Sequence, residues 1–290
     1  MNIRFRLNIL SFITVFLWST AFPLTKLIGT QFSASSLGFI RCACAAVFLI
    51  AAGLLITHIR KPSNKLDMFM LFIAGALGFA LYIIFFSTGI STLTSATSSI
   101  IVASTPIMTA AGASFLYKEH ISRTGWLCII SAFIGVAVLM LWNGVLSINT
   151  GIIWTLGAAV FFCCYNLLNR KLSSEGYSAA EIVTYGMISG AIVLSWFAPQ
   201  AVHEIMTADP ISVMTAIYLG LMPSAAAYLL WAKAMEYAEK TSEVTNYMFI
   251  TPLLSAILGF IILGETPDAG TLIGGTVIIA SVVVFSFRGK

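Results

Sequence analysis

Residues 68–117 read MFMLFIAGALGFALYIIFFSTGISTLTSATSSIIVASTPIMTAAGASFLY, fifty positions without a single charged side chain. A helix crossing a hydrocarbon core of about 30 Å needs about 20 apolar residues. The stretch is therefore too long for one crossing and right for two. The polar cluster Ser91-Thr92-Leu93-Thr94-Ser95 supplies the turn between them. Outward from this pair, charges act as punctuation. The chargeless run between Arg6 and Lys26 gives a first helix, and Phe32–Thr57 gives a second, interrupted only by Arg41. Thr124–Asn169 gives two more, broken at Asn143-Gly144 and Asn149-Thr150-Gly151. Four follow at Ile182–Val202, Ile211–Ala232, Val244–Gly264 and Ala269–Phe287. The expectation is an all-α integral membrane protein of ten transmembrane helices.

Composition agrees. Hydrophobic types make up 59% of the 290 residues and charged types 9%, with mean hydropathy +0.98. Soluble domains carry about 25% charged residues, so this chain requires lipid as its solvent. Basic residues sort by side once the N-terminus is placed in the cytoplasm. Arg4, Arg6, Arg60, Lys61, Lys65, Lys118, Arg123, Arg170, Lys171, Lys233, Lys240, Arg288 and Lys290 then all fall inside, 13 of the 15 Lys and Arg, as the positive-inside rule requires. The loops on the other side hold His203, Glu204, Asp209, Glu265 and Asp268. Both termini are expected in the cytoplasm. The basic Met1–Arg6 segment opens like a signal peptide, but no cleavage site follows, so the first helix is read as retained.

The two halves repeat. Pro106 and Pro252 stand 146 residues apart, as do Glu119 and Glu265, and Thr105-Pro106 lies over Thr251-Pro252. With five helices per half, the second copy enters from the opposite face. Residues 1–144 and 149–290 thus form two inverted five-helix repeats, a common plan of secondary transporters.

Trp18-Ser19-Thr20-Ala21-Phe22-Pro23 with Lys26, then Arg41, resembles the first repeat of the EamA family of the drug/metabolite transporter superfamily. The Thr105-Pro106…Glu119 and Thr251-Pro252…Glu265 segments resemble its fourth and ninth helices. The resemblance spans essentially the whole chain. It implies ten helices, a central cavity between the repeats, and export of amino acids or related metabolites across a bacterial inner membrane. Alternatives of the same class are a multidrug or lipophilic-compound exporter and a nucleoside-like permease. Small multidrug exporters of that superfamily use a membrane-embedded Glu in helix one. Here no Asp or Glu lies mid-span, which disfavours a cation pump of that kind.

Substrate-binding candidates are the polar and aromatic residues inside spans: Trp18, Ser19, Tyr82, Tyr165, Asn166, Tyr228, Trp231 and Asn246. Asn166 and Asn246 cannot face lipid without unmet hydrogen bonds, and Trp231 also suits an interfacial belt. Lys26 and Arg41 are the ionisable groups at membrane depth, where charge is costly and usually functional. Either would suit an anionic group such as a substrate carboxylate. Pro106 and Pro252 remove backbone hydrogen bonds within spans and are the hinge candidates. Gly186-x-x-x-Gly190 and Gly270-x-x-x-Gly274 suit close helix packing inside the bundle, leaving a monomer or weak homodimer. Cys42, Cys44, Cys128, Cys163 and Cys164 sit in apolar runs as core residues. No metal or cofactor is expected. His-Glu-x-x-His, a Gly-x-Ser-Gly run and a nucleotide-binding loop are all lacking, which argues against an enzyme. No basic stripe invites nucleic acid. The expected partners are a small-molecule substrate and membrane lipids.

Overall fold

The computed structural model describes residues 3–53, 59–118, 120–142, 149–237, 244 and 246–288. Their regular structure is all helical, with no strand among the described residues. The helices are α1 (Ile3–Ile28), α2 (Ala34–Ala52), α3 (Lys65–Ile90), α4 (Ser95–Tyr117), α5 (Arg123–Leu141), α6 (Thr150–Ser174), α7 (Ala179–Thr207), α8 (Pro210–Met235), α9 (Thr251–Leu263) and α10 (Ala269–Arg288). Eight are long and apolar enough to cross a membrane, and the apolar stretches Arg123–Leu139 and Tyr247–Leu263 are shorter. Large apolar side chains remain exposed on the bundle, among them Trp196, Phe115 and Phe287. Such a surface is stable against lipid rather than water.

The polar residues that punctuate the sequence are helix caps. Ser33, Asn64, Thr94, Ser122, Ser178 and Asp209 each accept a backbone N–H three residues on, which satisfies a donor that the helix start leaves open. Ser178 and Glu181 close a reciprocal capping box, to which Arg60 adds an ion pair at 2.9 Å. The backbone N–H and hydroxyl of Ser212, with the Gln31 amide, hold the Asp209 carboxyl below its usual range. Two expected boundaries move. α2 starts at Ala34 after its Ser33 cap, and residues 54–58 lie outside the described residues. α7 runs on past Val202 to Thr207, through a 3-10 turn at Ser195–Phe197.

Irregularities fall in matched places. α3 widens into a π turn at Ala76–Leu81, and α8 does so at Met222–Ala226. Tyr82 and Tyr228 follow these turns, 146 residues apart. Lys118 ends α4 with φ 54°, and Gly264 ends α9 with φ 66°. Within α8, Pro223 has no N–H for the Leu219 carbonyl. The Ser224 hydroxyl takes that bond instead, at 2.8 Å, so the break leaves no stranded acceptor. Within α4, Pro106 likewise frees the Val102 carbonyl, and the Thr105 hydroxyl claims it at 2.6 Å. Both Pro106 and Pro252 sit in the first turn of a helical segment, where a missing N–H costs little. They begin segments, whereas the sequence suggested interior breaks.

Packing pairs α5 with α10, α2 with α7, α1 with α8 and α9, and α3 and α4 with α6. Glycine sets the closest crossings. A Cβ on Gly274 would lie 2.7 Å from the Gly135 carbonyl oxygen, and one on Gly135 would lie 2.8 Å from that of Gly274. Gly186 packs on Phe79, Gly190 on Cys42, and Gly270 on Trp142. Both glycine motifs are therefore used inside the bundle. Gly274→Ala is expected to cost about 1–3 kcal/mol through overpacking against backbone. It should lower the thermal midpoint of the purified protein, while Gly29→Ala, whose added Cβ meets only 3.4 Å contacts, should not.

Candidate functional site

A cavity of about 550 Å³ lies in the middle of the bundle. It is walled by α1, α3, α4, α6, α7, α8, α10 and the residues at and before the start of α9, with Arg41 entering from α2. The lining runs from Phe22, Phe86 and Ser99 to Asn169, Arg170 and Ser286. It thus reaches the end of the bundle where α10 finishes at Arg288, and stops short of the end that carries Lys26.

Aromatic rings form an interlocked wall. Trp18 packs edge-on to Tyr228 at 5.3 Å and against Trp231 at 5.1 Å. Phe79 meets Tyr165 at 5.1 Å and Tyr228 at 5.7 Å, and Tyr82 meets Phe162 at 5.1 Å. The π turns of α3 and α8 present two of these rings, Tyr82 and Tyr228, from opposite sides of the chain's midpoint. Polar groups are few. Asn166 donates to the Thr109 hydroxyl at 3.4 Å. Arg41 is only 5% exposed, and its Nε and Nη2 both donate to Ser224 Oγ, at 3.2 and 3.1 Å. Its Nη1 has no hydrogen-bond partner, nor has Trp18 Nε1. The described lining contains no Asp or Glu.

The opposite end is shut by an ion pair. Lys26 Nζ lies 2.5 Å from Glu265 Oε1 and donates to the Leu93 carbonyl at 2.7 Å. Glu265 Oε2 accepts the Ser95 N–H at 2.7 Å. One carboxylate thus joins the end of α1, the loop after α9 and the start of α4. Beneath it, Thr25, Ser95, Ser98 and Ser255 bury hydroxyls that have no hydrogen-bond partner. They stand on α1, α4 and α9, the helices that meet there.

Of the candidates from sequence, Trp18, Arg41, Tyr82, Pro106, Tyr165, Asn166, Tyr228 and Trp231 line the cavity. Trp231 does so as part of the aromatic wall rather than in an interfacial belt. Ser19 does not line it. It is fully buried and bonds the Val15 and Thr251 carbonyls at 2.8 and 3.4 Å, tying α1 to α9. Lys26 is committed to Glu265, and Pro252 is buried away from the cavity. The side chain of Asn246 and all of Glu119 lie outside the described residues. Sequence reasoning missed Ser224, Thr109 and the phenylalanines of the wall. Ser224 carried a signal, since a serine directly after an in-span proline is placed to bond the freed carbonyl. The phenylalanines carried none, being indistinguishable in type from those that face lipid.

The EamA-like transporter family model matches residues 6–141 and again 149–287. The uncharacterized transporter YdfC of Bacillus subtilis is 29% identical over 92% of this chain and 86% of its own. The "Probable terminal-alkyne amino-acid exporter" of Streptantibioticus cattleyicolor is 28% identical over 95% and 92%. An S-adenosylmethionine uptake transporter of Rickettsia bellii is 24% identical over 92% and 88%. A solved crystal structure matches with a TM-score of 0.64 at 16% identity, over 98% of this chain and 97% of that one.

Proposed function

Since this chain belongs to the EamA-like transporter family and is a multi-pass transporter of the plasma membrane, we propose that it exports amino acids or related small metabolites by alternating access. The observation that carries the reading is the cavity. It is closed at the Lys26 end and extends to the Arg288 end, and it is built from rings and polar groups of both halves. A metabolite-sized site accessible from one side at a time is what alternating access requires.

The ten-span topology, with both termini in the cytoplasm, puts the Arg288 end inside, so the cavity faces the cytoplasm. Two inverted repeats, residues 1–144 and 149–290, are supported by features recurring at a spacing of 146: the π turns at Ala76 and Met222, Tyr82 and Tyr228, and the left-handed Lys118 and Gly264. The packing supports them too, since α1 lies on α8 and α9 as α6 lies on α3 and α4. The prolines that begin helical segments in α4 and α9 are the points about which the repeats rock. Use of the glycine pairs within the bundle supports action as a monomer. The amino-acid substrate class rests on the resemblance and on the name of the exporter from Streptantibioticus, and the lack of a carboxylate in the described lining argues against lipophilic cations.

Two experiments test this. Proteoliposomes preloaded with amino acids should show saturable counterflow, cut about tenfold or more by Trp18→Ala, since truncating a central buried aromatic costs most of what such a contact supplies. With Cys42, Cys44, Cys128, Cys163 and Cys164 replaced, a single cysteine at Asn166 should react with an impermeant thiol reagent from one face or the other depending on substrate. Reaction from both faces at once would show a channel and end the alternating-access reading.

A further inference from the structure

We propose that Arg41 is the anion subsite of the cavity, and that it selects a singly charged carboxylate with an apolar body, the amino group being dispensable. The inference rests on the transporter reading and specifies what that site recognises.

The guanidinium lies deep in the bundle, 5% exposed, and takes part in neither of the ion pairs found among the described residues. An unpaired charge out of water is costly unless something neutralises it. Among the described residues its one hydrogen-bond partner is a neutral group, Ser224 Oγ, which receives both Nε and Nη2. That hydroxyl has spent its own proton on the Leu219 carbonyl. It therefore acts towards Arg41 as an acceptor only, and fixes one edge of the planar guanidinium. Nη1 is left without an acceptor, on a side chain that lines the cavity. The proline inside α8 is thus the reason the arginine is held in one orientation: Pro223 frees the Leu219 carbonyl, that carbonyl orients Ser224, and Ser224 clamps Arg41.

The ligand follows by complementarity. It must bring an acceptor for Nη1 and a negative charge. Arg170 lines the cavity too but lies over the Tyr117 ring, so at the Arg41 subsite one guanidinium balances one charge, and a monoanion suits it better than a phosphate dianion. Trp18 Nε1, also buried and unpaired, gives the same cavity a second donor that wants an acceptor. No carboxylate in the described lining answers an ammonium. An amino acid is therefore held through its carboxylate and its side chain, the latter against the Tyr82, Phe86 and Tyr228 rings.

The test uses purified protein in lipid nanodiscs and reads the thermal midpoint and the apparent Kd from it. The probes are leucine, leucinamide, 4-methylpentanoate, 4-methylpentanamide, their phenylalanine and 3-phenylpropanoate counterparts, and sodium chloride. The carboxylates of at least one series should stabilise, with the deaminated acid at least equal to the amino acid, and the matching amides should not. Arg41→Gln should abolish the response. Should that variant not fold, Ser224→Ala keeps the charge and releases the clamp, and should weaken carboxylate binding about tenfold, as loss of a charged hydrogen bond does. Equal stabilisation by an acid and its amide would overturn the proposal. So would stabilisation by chloride but by no carboxylate, or a carboxylate response unchanged in both variants. Counterflow measured on the same purified protein reconstituted into proteoliposomes separates the two claims. Transport that ignores Arg41 and the carboxylate sinks the subsite alone, whereas carboxylate binding without transport of any probe sinks the transporter reading alone.

Discussion

Leucine in place of Gly75 is expected to prevent the bundle from forming, so that the variant elutes as aggregate after extraction. Gly75 is where α3 crosses α7 just before the π turn. A Cβ there would lie 2.4 Å from the Gly186 carbonyl oxygen, 2.8 Å from Gly186 Cα and 2.7 Å from Ser189 Cβ. The first two are backbone atoms, which cannot swing aside as the tip of a side chain can. Even alanine forces the two helices apart, at about 1–3 kcal/mol for overpacking. Leucine adds an isobutyl group at a crossing that has no room for a methyl. Helix association in lipid depends on such close approach, because no hydrophobic drive compensates. A monodisperse Gly75→Leu protein with a wild-type thermal midpoint would show that α3 and α7 do not cross this closely.

Glu265→Gln is expected to turn the cavity towards the opposite face. The change keeps an acceptor for Ser95 but leaves Lys26 with a carbonyl alone. The Lys26 and Glu265 side chains are 28% and 10% exposed. A fully buried pair broken on one side costs about 3–5 kcal/mol, and the partial exposure of Lys26 brings this down towards the 1–2 kcal/mol of a charged hydrogen bond. The closed Lys26 end loses that amount relative to the open one, a shift on the order of tenfold in their ratio. In a cysteine-free background, Ala96→Cys, buried beside the ion pair, should react about tenfold faster with an impermeant reagent from the Lys26 side. Unchanged reaction at that position would rule out the ion pair as a closure.

The all-helical membrane class was legible because membrane crossing imposes simple rules. A chargeless run such as residues 68–117 has few other uses, and the positions of Arg60, Lys118 and Arg170 leave little freedom in ordering the helices. The cavity was half legible. Asn166 and Tyr82 declared themselves as polar atoms that lipid would not tolerate. Lys26 and Glu265 were each noted, but a separation of 239 residues hides a partner from any local reading. Pro106 and Pro252 were read by the generic effect of proline inside a helix, and only the fold reveals that each opens a new segment. The π turns had no reading at all, because an inserted residue in an all-apolar helix changes direction without changing composition.

In the proposed transport cycle, the four hydroxyls beneath Lys26 that lack a protein partner among the described residues make water a participant. Thr25, Ser95, Ser98 and Ser255 find no hydrogen-bond partner from the protein in the closed end, and a buried hydroxyl without a partner costs about 1–3 kcal/mol. Wetting refunds that cost, whereas a seam of leucines would resist being wetted. On the proposed alternating access, the end that opens is the end that gains from hydration, and solvent entering it acts as a ligand of the open form.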